Sequence, residues 1–131
     1  MKVLYAFLGI LAVAIIVLFV FNSLSYTEGT IEGVVMLGPI CPVMQDPPDP
    51  QCADKPYETE LALLTSDQSR VVKKFKSDVV GRFAVSAPPG EYIIQSASVA
   101  NVLPYCSSPT SIRVVENETV QADVSCDTGI R

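Results

Sequence analysis

The chain contains no histidine, so chemistry near neutral pH would have to come from carboxylates, lysines or sulfur. That absence removes the commonest general base, the standard Ser/His/Asp and Cys/His arrangements, and the usual His and carboxylate zinc site. Most of the remaining candidates lie in one stretch. Asp46, Asp49 and Asp54 fall in a Pro-rich segment and could offer oxygens to Ca²⁺. Calcium needs several more oxygens, and this spacing matches no calcium loop, so a solvated acidic loop is the better reading. Cys41, Met44 and Cys52, with Met36 nearby, present soft sulfur of the kind that suits Cu(I). Their spacing is no established metal motif, however, and the C-x-x-C of thiol oxidoreductases is absent. No catalytic, cofactor or metal residue is therefore assigned, and the chain reads as a non-enzyme without a cofactor.

The elements that position these residues begin with a span of membrane length. Val3–Phe21 is an uncharged run of 19 residues. As a helix it would cover roughly 28 Å, close to the hydrocarbon thickness of a bilayer. Residues 1–22 are expected to be a transmembrane signal anchor, 23–28 a short connection and 29–131 the folded domain. The alternative is a cleaved signal peptide, followed by secretion: Ser23 and Ser25 offer a small-x-small site before Tyr26. Signal-peptide cores usually run only about 7 to 15 residues, which favours the anchor. No cysteine lies just after the run, so lipoprotein-type anchoring is not indicated. Lys2 and the N-terminal amine precede the span, and the positive-inside rule keeps them in the cytoplasm. The domain then lies outside.

Everything beyond the span, connection included, carries all 14 acidic residues and 8 of the 9 basic ones, a net charge of −6 (8 − 14). Nucleic acid and anionic lipid surfaces, which need basic patches, are disfavoured as partners. Arg70, Lys73, Lys74 and Lys76 form the one basic cluster, read as a lysine-guarded edge strand. Four cysteines outside the reducing cytosol default to disulfides. Three connectivities are open, and chain proximity favours Cys41 with Cys52 and Cys106 with Cys126.

Seven strand-like runs follow the connection, at 29–37, 57–65, 69–76, 82–86, 91–99, 110–115 and 119–126. Gly33 marks a bulge or close approach in the first, and in the second Leu61 and Leu63 oppose Glu60 and Ala62. The fourth alternates with Phe83 and Val85 on one face. Gly81 before it suits a positive-φ turn, and Pro88, Pro89 and Gly90 stop it. Residues 40–56 hold five prolines, so neither helix nor ladder strand is expected there. The last two runs flank 116–118 and read as a hairpin. Short strands without helical periodicity argue an all-β sandwich.

With these residues in view, D-x-x-G-R-F (Asp78, Gly81, Arg82, Phe83) followed by P-P-G-x-Y (Pro88 to Tyr92) resembles the carboxypeptidase regulatory-like domain family. That resemblance implies a seven-stranded transthyretin-like (prealbumin-like) β-sandwich across the ectodomain. In metallocarboxypeptidases such a domain accompanies a zinc-dependent catalytic domain; these 131 residues contain none. A narrower resemblance is to small secreted or membrane-anchored prokaryotic proteins of this class. It rests on G-P-x-C-P-V from Gly38, on Cys52 with Lys55, Pro56 and Tyr57, and on a terminal D-T-G-I-R from Asp127. In that group an aromatic residue commonly precedes the terminal motif. Cys126 and Cys106 therefore resemble a private second staple, which again favours pairing them.

The expectation is a membrane-anchored extracytoplasmic structural or interaction module with a protein partner. Its working surface would be the loop framed by Cys41 and Cys52, carrying Asp46, Asp49 and Asp54, with 104–109 second. Tyr57 and Tyr105 adjoin the two staples and would either form a contact patch or pack on their own loops. The alternatives are a small-ligand or metal-binding protein using the loop 41–54, and an accessory domain for a separate envelope enzyme. Asn117 and Thr119 spell an N-x-T sequon, read as a turn asparagine unless the source glycosylates.

Overall fold

The computed structural model describes residues 1–23, 27–43, 45–98 and 102–131. The apolar run forms helix α1 (Lys2–Ser23), which ends one residue beyond the anchor expected from sequence. Its large apolar side chains are open all round, and none of the Val3–Phe21 span is buried. An exposed helix that is apolar on every face is suited to lipid, and this one is long enough to cross a bilayer. Ser25 and Tyr26, which bear on cleavage, lie outside the described residues.

The rest is an all-β sandwich. Its strands are β1 (Gly29–Gly38), β2 (Lys55–Pro56), β3 (Glu60–Thr65), β4 (Val71–Lys76), β5 (Arg82–Ala87), β6 (Gly90–Ser96), β7 (Tyr105–Ser107), β8 (Ile112–Val114), β9 (Thr119–Gln121) and β10 (Val124–Asp127). β1 belongs to both layers. Its first half lies between antiparallel β5 and parallel β9; its second half lies between antiparallel β2 and parallel β10. The larger layer then continues β10-β7-β6-β3-β4, with β8 also on β6.

The change of layer happens at one corner. A Cβ on Gly33 would lie 2.0 Å from the Ala122 carbonyl oxygen, so only glycine allows this approach. Beyond it the Asp123 carboxylate accepts from the Val34 amide at 3.1 Å, and the Val35 amide donates to the Gly81 carbonyl at 2.7 Å. These bonds satisfy the ladder where neighbouring strands part.

The turn motifs act as local clamps. Asp78 accepts from the amides of Val80 and Arg82 at 3.0 and 2.8 Å, which fixes a turn that leaves Gly81 at φ +76°. Tyr92 is buried and donates its hydroxyl to the Pro88 carbonyl at 2.6 Å, and that burial raises its pKa. Phe83, Val85 and Ala87 point inward from β5 and join Ile31, Val35, Leu61, Leu63, Ile94 and Val124 in one core. Each Val, Leu, Ile or Phe among them contributes roughly 1.5–3 kcal/mol through burial.

Several expectations are corrected. Ten strands replace seven, because Lys55–Pro56 and Tyr105–Ser107 pair and the last run breaks at Ala122 and Asp123. Pro56 is tolerated because β2 is a two-residue edge strand, where a missing amide costs little. A single 3-10 turn at Pro50–Cys52 also forms in the stretch read as free of helix. The 116–118 turn closes no hairpin: β8 pairs with β6 and β9 with β1, so it crosses between layers. Ala62 is buried along with its neighbours, since β3 sits between β4 and β6. The basic run does occupy the edge strand β4, where Lys73 bonds the Ser86 carbonyl at 2.6 Å and Lys76 pairs with Glu58.

Candidate interaction site at the disulfide-framed loop

The register of four strands gathers the sequence's separate motifs at one end of the larger layer. Gly38 pairs with Asp127, Asp127 with Tyr105, and Leu37 with Lys55. This is the end of β1 farthest along the chain from α1. From it the chain leaves into the proline-rich loop and returns as β2, and Cys41 and Cys52 are joined across that excursion. The expected second bond, Cys106 to Cys126, is also present, between register partners of β7 and β10.

Inside the loop each carboxylate has a distinct place. Asp49 is half-buried and accepts from the Gln51 amide at 2.9 Å, capping the 3-10 turn with Pro50 at its start. The Asp54 carboxylate lies over Gly38, where an added Cβ would meet its Oδ1 at 1.9 Å. Asp46 is exposed. Asp46, Asp49 and Asp54 enter none of the three ion pairs among the described residues. Nor do they converge: among those residues no group of three His, Cys, Asp or Glu side chains is arranged to hold a metal. Cys41 and Cys52 as a disulfide have no thiolate to offer copper, Met36 is a half-buried residue of β1, and Met44 lies outside the described residues.

The loop encloses a groove of about 560 Å³. Pro39, Val43, Pro48, Pro50 and the Cys41–Cys52 bridge give it apolar walls, with Gln45, Asp49 and Asp54 as its polar members. The two tyrosines are not neighbours here. Tyr57 is half-buried against the core and its carbonyl accepts from Ser77 Oγ at 2.8 Å, while Tyr105 lies in β7 on the other side of β1 and β10. Of the expected second loop, Tyr105, Cys106 and Ser107 are strand. Leu103 and Val102 before it are exposed at the same end as the groove, as is Ile130.

A clasp at the chain's end was not read as part of this site. Asp127 takes both Arg131 guanidinium nitrogens, at 2.8 and 3.1 Å, and the Gly129 amide at 2.8 Å. The Arg131 hydrogen bond, then the Gly129 amide, lower the Asp127 pKa to about 2. Thr128 donates its hydroxyl to the Pro39 carbonyl at 2.7 Å and its amide to Gly38 at 3.1 Å. The tail therefore straps the root of the loop to β10. The i, i+4 spacing of Asp127 and Arg131 was its sequence signal. Asp67, also near 2, is held by Thr65 and Ser69 in the β3–β4 turn, and Lys76 is raised by Glu58. Both lie away from the groove.

No family model matches the chain, and no curated protein matches it. Among solved structures it is similar to GBS52, the minor pilin of the Gram-positive pathogen Streptococcus agalactiae. The TM-score is 0.48 at 13% identity, over 79% of this chain and 45% of that one, so this chain spans less than half of the pilin's length.

Proposed function

We propose that the protein is a membrane-anchored, extracytoplasmic, non-catalytic interaction module. In this reading 1–22 anchor the chain, 23–28 connect, and 29–131 form a carboxypeptidase regulatory-like domain that presents the loop 41–54 to a protein partner. Lys2 ahead of the span supports a cytoplasmic N-terminus, and two disulfides support an oxidising location for the rest. One observation carries the reading. A loop rich in exposed side chains is stapled, capped by Asp49 and strapped by Thr128 at the end of β1 away from the helix. A loop ordered this way keeps its shape without substrate chemistry, and rigid scaffolds with shaped loops are a common basis of recognition.

The test is site-specific photo-crosslinking of the full chain in its native membrane. A photoreactive residue at Gln45 or Gln51 should give discrete protein adducts, lost when Cys41→Ser/Cys52→Ser unties the loop. The same residue at Gln121, on the smaller layer, should give none. Adducts from Gln121 alone, or undiminished adducts from the untied loop, would remove the loop as the interaction element.

A further inference from the structure

We propose that the groove over the Cys41–Cys52 bridge receives an arginine side chain from a protein partner; this rests on the loop being the interaction element. The groove's volume of about 560 Å³ lies within the usual range for binding clefts, about 300–1,000 Å³. Its composition is specific in kind. Proline rings, Val43 and a disulfide supply apolar surface, while Asp49 and Asp54 place carboxylates in the same lining. An arginine fits that pairing, because its aliphatic stem covers apolar surface and its planar head takes a carboxylate through two hydrogen bonds.

The carboxylates are available and held. Neither is in an ion pair among the described residues, and the exposed Lys55 beside Asp54 in sequence pairs with neither. Asp49 is oriented in advance by the Gln51 amide, and the disulfide restrains the walls, so little ordering remains to be done on binding. A domain of net charge −5 (8 basic and 13 acidic residues in 29–131) also attracts cations during encounter.

A second, shallower groove at the α1 end of β1 makes the contrast. It too has apolar walls, but its acids are engaged: Glu91 pairs with Arg113 at 2.9 Å, and Glu116 accepts from the Thr27 amide at 3.0 Å. Anionic lipid or phosphate is excluded from the loop groove by the same aspartates that favour arginine.

The experiment uses the full ¹⁵N-labelled chain in nanodiscs of zwitterionic lipid, titrated with acetyl-Leu-Arg-Leu-amide at physiological salt. Saturable shifts are expected at the amides of 45–54 and of Cys41 and Val43. The same peptide with citrulline, which keeps the shape and loses the charge, should bind about 10-fold more weakly or worse. Asp54→Asn should reproduce that loss, and so should Asp49→Asn, which keeps a capping acceptor for Gln51. Glu116→Gln/Glu118→Gln should change nothing.

Equal binding of the citrulline peptide overturns the proposal. So do equal losses with the Glu116 and Glu118 variant, shifts spread over the whole acidic surface, or no saturation at millimolar peptide. Loop shifts that change on dilution without peptide would seat a second copy there, and overturn it as well. If the peptide fails while Gln45 and Gln51 still crosslink a partner, the arginine assignment falls and the interaction reading stands.

Discussion

The two disulfides share a chemistry and differ in almost everything around them. Cys106 and Cys126 face each other across β7 and β10, are fully buried, and belong to the core. Cys41 and Cys52 are half-exposed and bracket an excursion that shares no ladder with the strands beside it until Lys55. In the chain-entropy treatment, loops of 20 and 11 residues constrain the unfolded chain almost equally, by about 3 kcal/mol each. That treatment takes the native state as unchanged when the bond is cut. It holds for β7 and β10, whose order is also kept by ladder bonds and packing. In the proline-rich loop the bond itself orders much of the native chain, so cutting it also releases native-state entropy, and the net loss is smaller.

The largest effect should therefore come from the buried pair. Cys106→Ala/Cys126→Ala is expected to cost about 3 kcal/mol or more and to lower Tm by about 15 °C. Thermal unfolding followed by circular dichroism reads this directly. A drop no greater than that from cutting Cys41–Cys52 would end the distinction between a core staple and a loop staple.

Next in size is a change to the frame that involves no sulfur. Gly81→Ala forces a side chain into φ +76° and sets a Cβ 2.5 Å from the Val35 carbonyl oxygen, for an expected cost of about 2 kcal/mol. Urea unfolding measures it. The comparison sharpens if partner crosslinking from Gln45 survives in the folded variant, since the frame can then be weakened without loss of the loop's surface.

The loop staple follows. Cys41→Ser/Cys52→Ser should cost only about 1 kcal/mol, yet amide exchange in 45–54 should become fast while that in Tyr105–Ser107 stays protected. Exposure also orders the two bonds by access. A soluble dithiol acting on the folded protein should free Cys41 and Cys52 for alkylation first, and Cys106 and Cys126 only after unfolding, as differential labelling by mass spectrometry would show. Simultaneous labelling of all four would mean that the two regions open together.

What could be read from sequence divides along the same line. The β5 strand and its turns were legible because their determinants are local: Asp78 reaches two and four residues on, Gly81 turns the chain, and Tyr92 reaches back to Pro88. β1 was legible as a strand but its membership of two layers was not, because that depends on Ala122 and Asp123 arriving from far along the chain. β7 was hidden by its length of three residues and by a cysteine as its inward side chain. The 116–118 turn was misread because the same turn residues serve connections within a layer and between layers. At the site, chain proximity gave both disulfides, whereas the Asp49 cap depends on the local turn geometry and the separation of Tyr57 from Tyr105 on the strand order.

The smallest expected effect concerns the strap between the two regions, since Asp127 sits on β10 one residue past Cys126 and Thr128 holds Pro39 two residues before Cys41. Its folded pKa, about 2, lies below the value of about 3.9 for an unfolded aspartate. A depressed carboxylate favours the folded state fully above the unfolded value, and that contribution disappears as pH falls through the folded value. Lowering pH from about 4 to about 2 should thus loosen residues 128–131 and the Pro39 end of the loop, with the Cys106–Cys126 ladder intact. Carboxyl-detected NMR titration should place Asp127 near 2 in the native protein and, in Arg131→Gln, back toward the ordinary aspartate value, because the guanidinium hydrogen bond is the largest cause of the shift. An unchanged Asp127 titration in that variant would show that the Gly129 amide alone holds the carboxylate. The loop's root and the core would then be joined by Thr128 without electrostatic help, and acid would leave their coupling untouched.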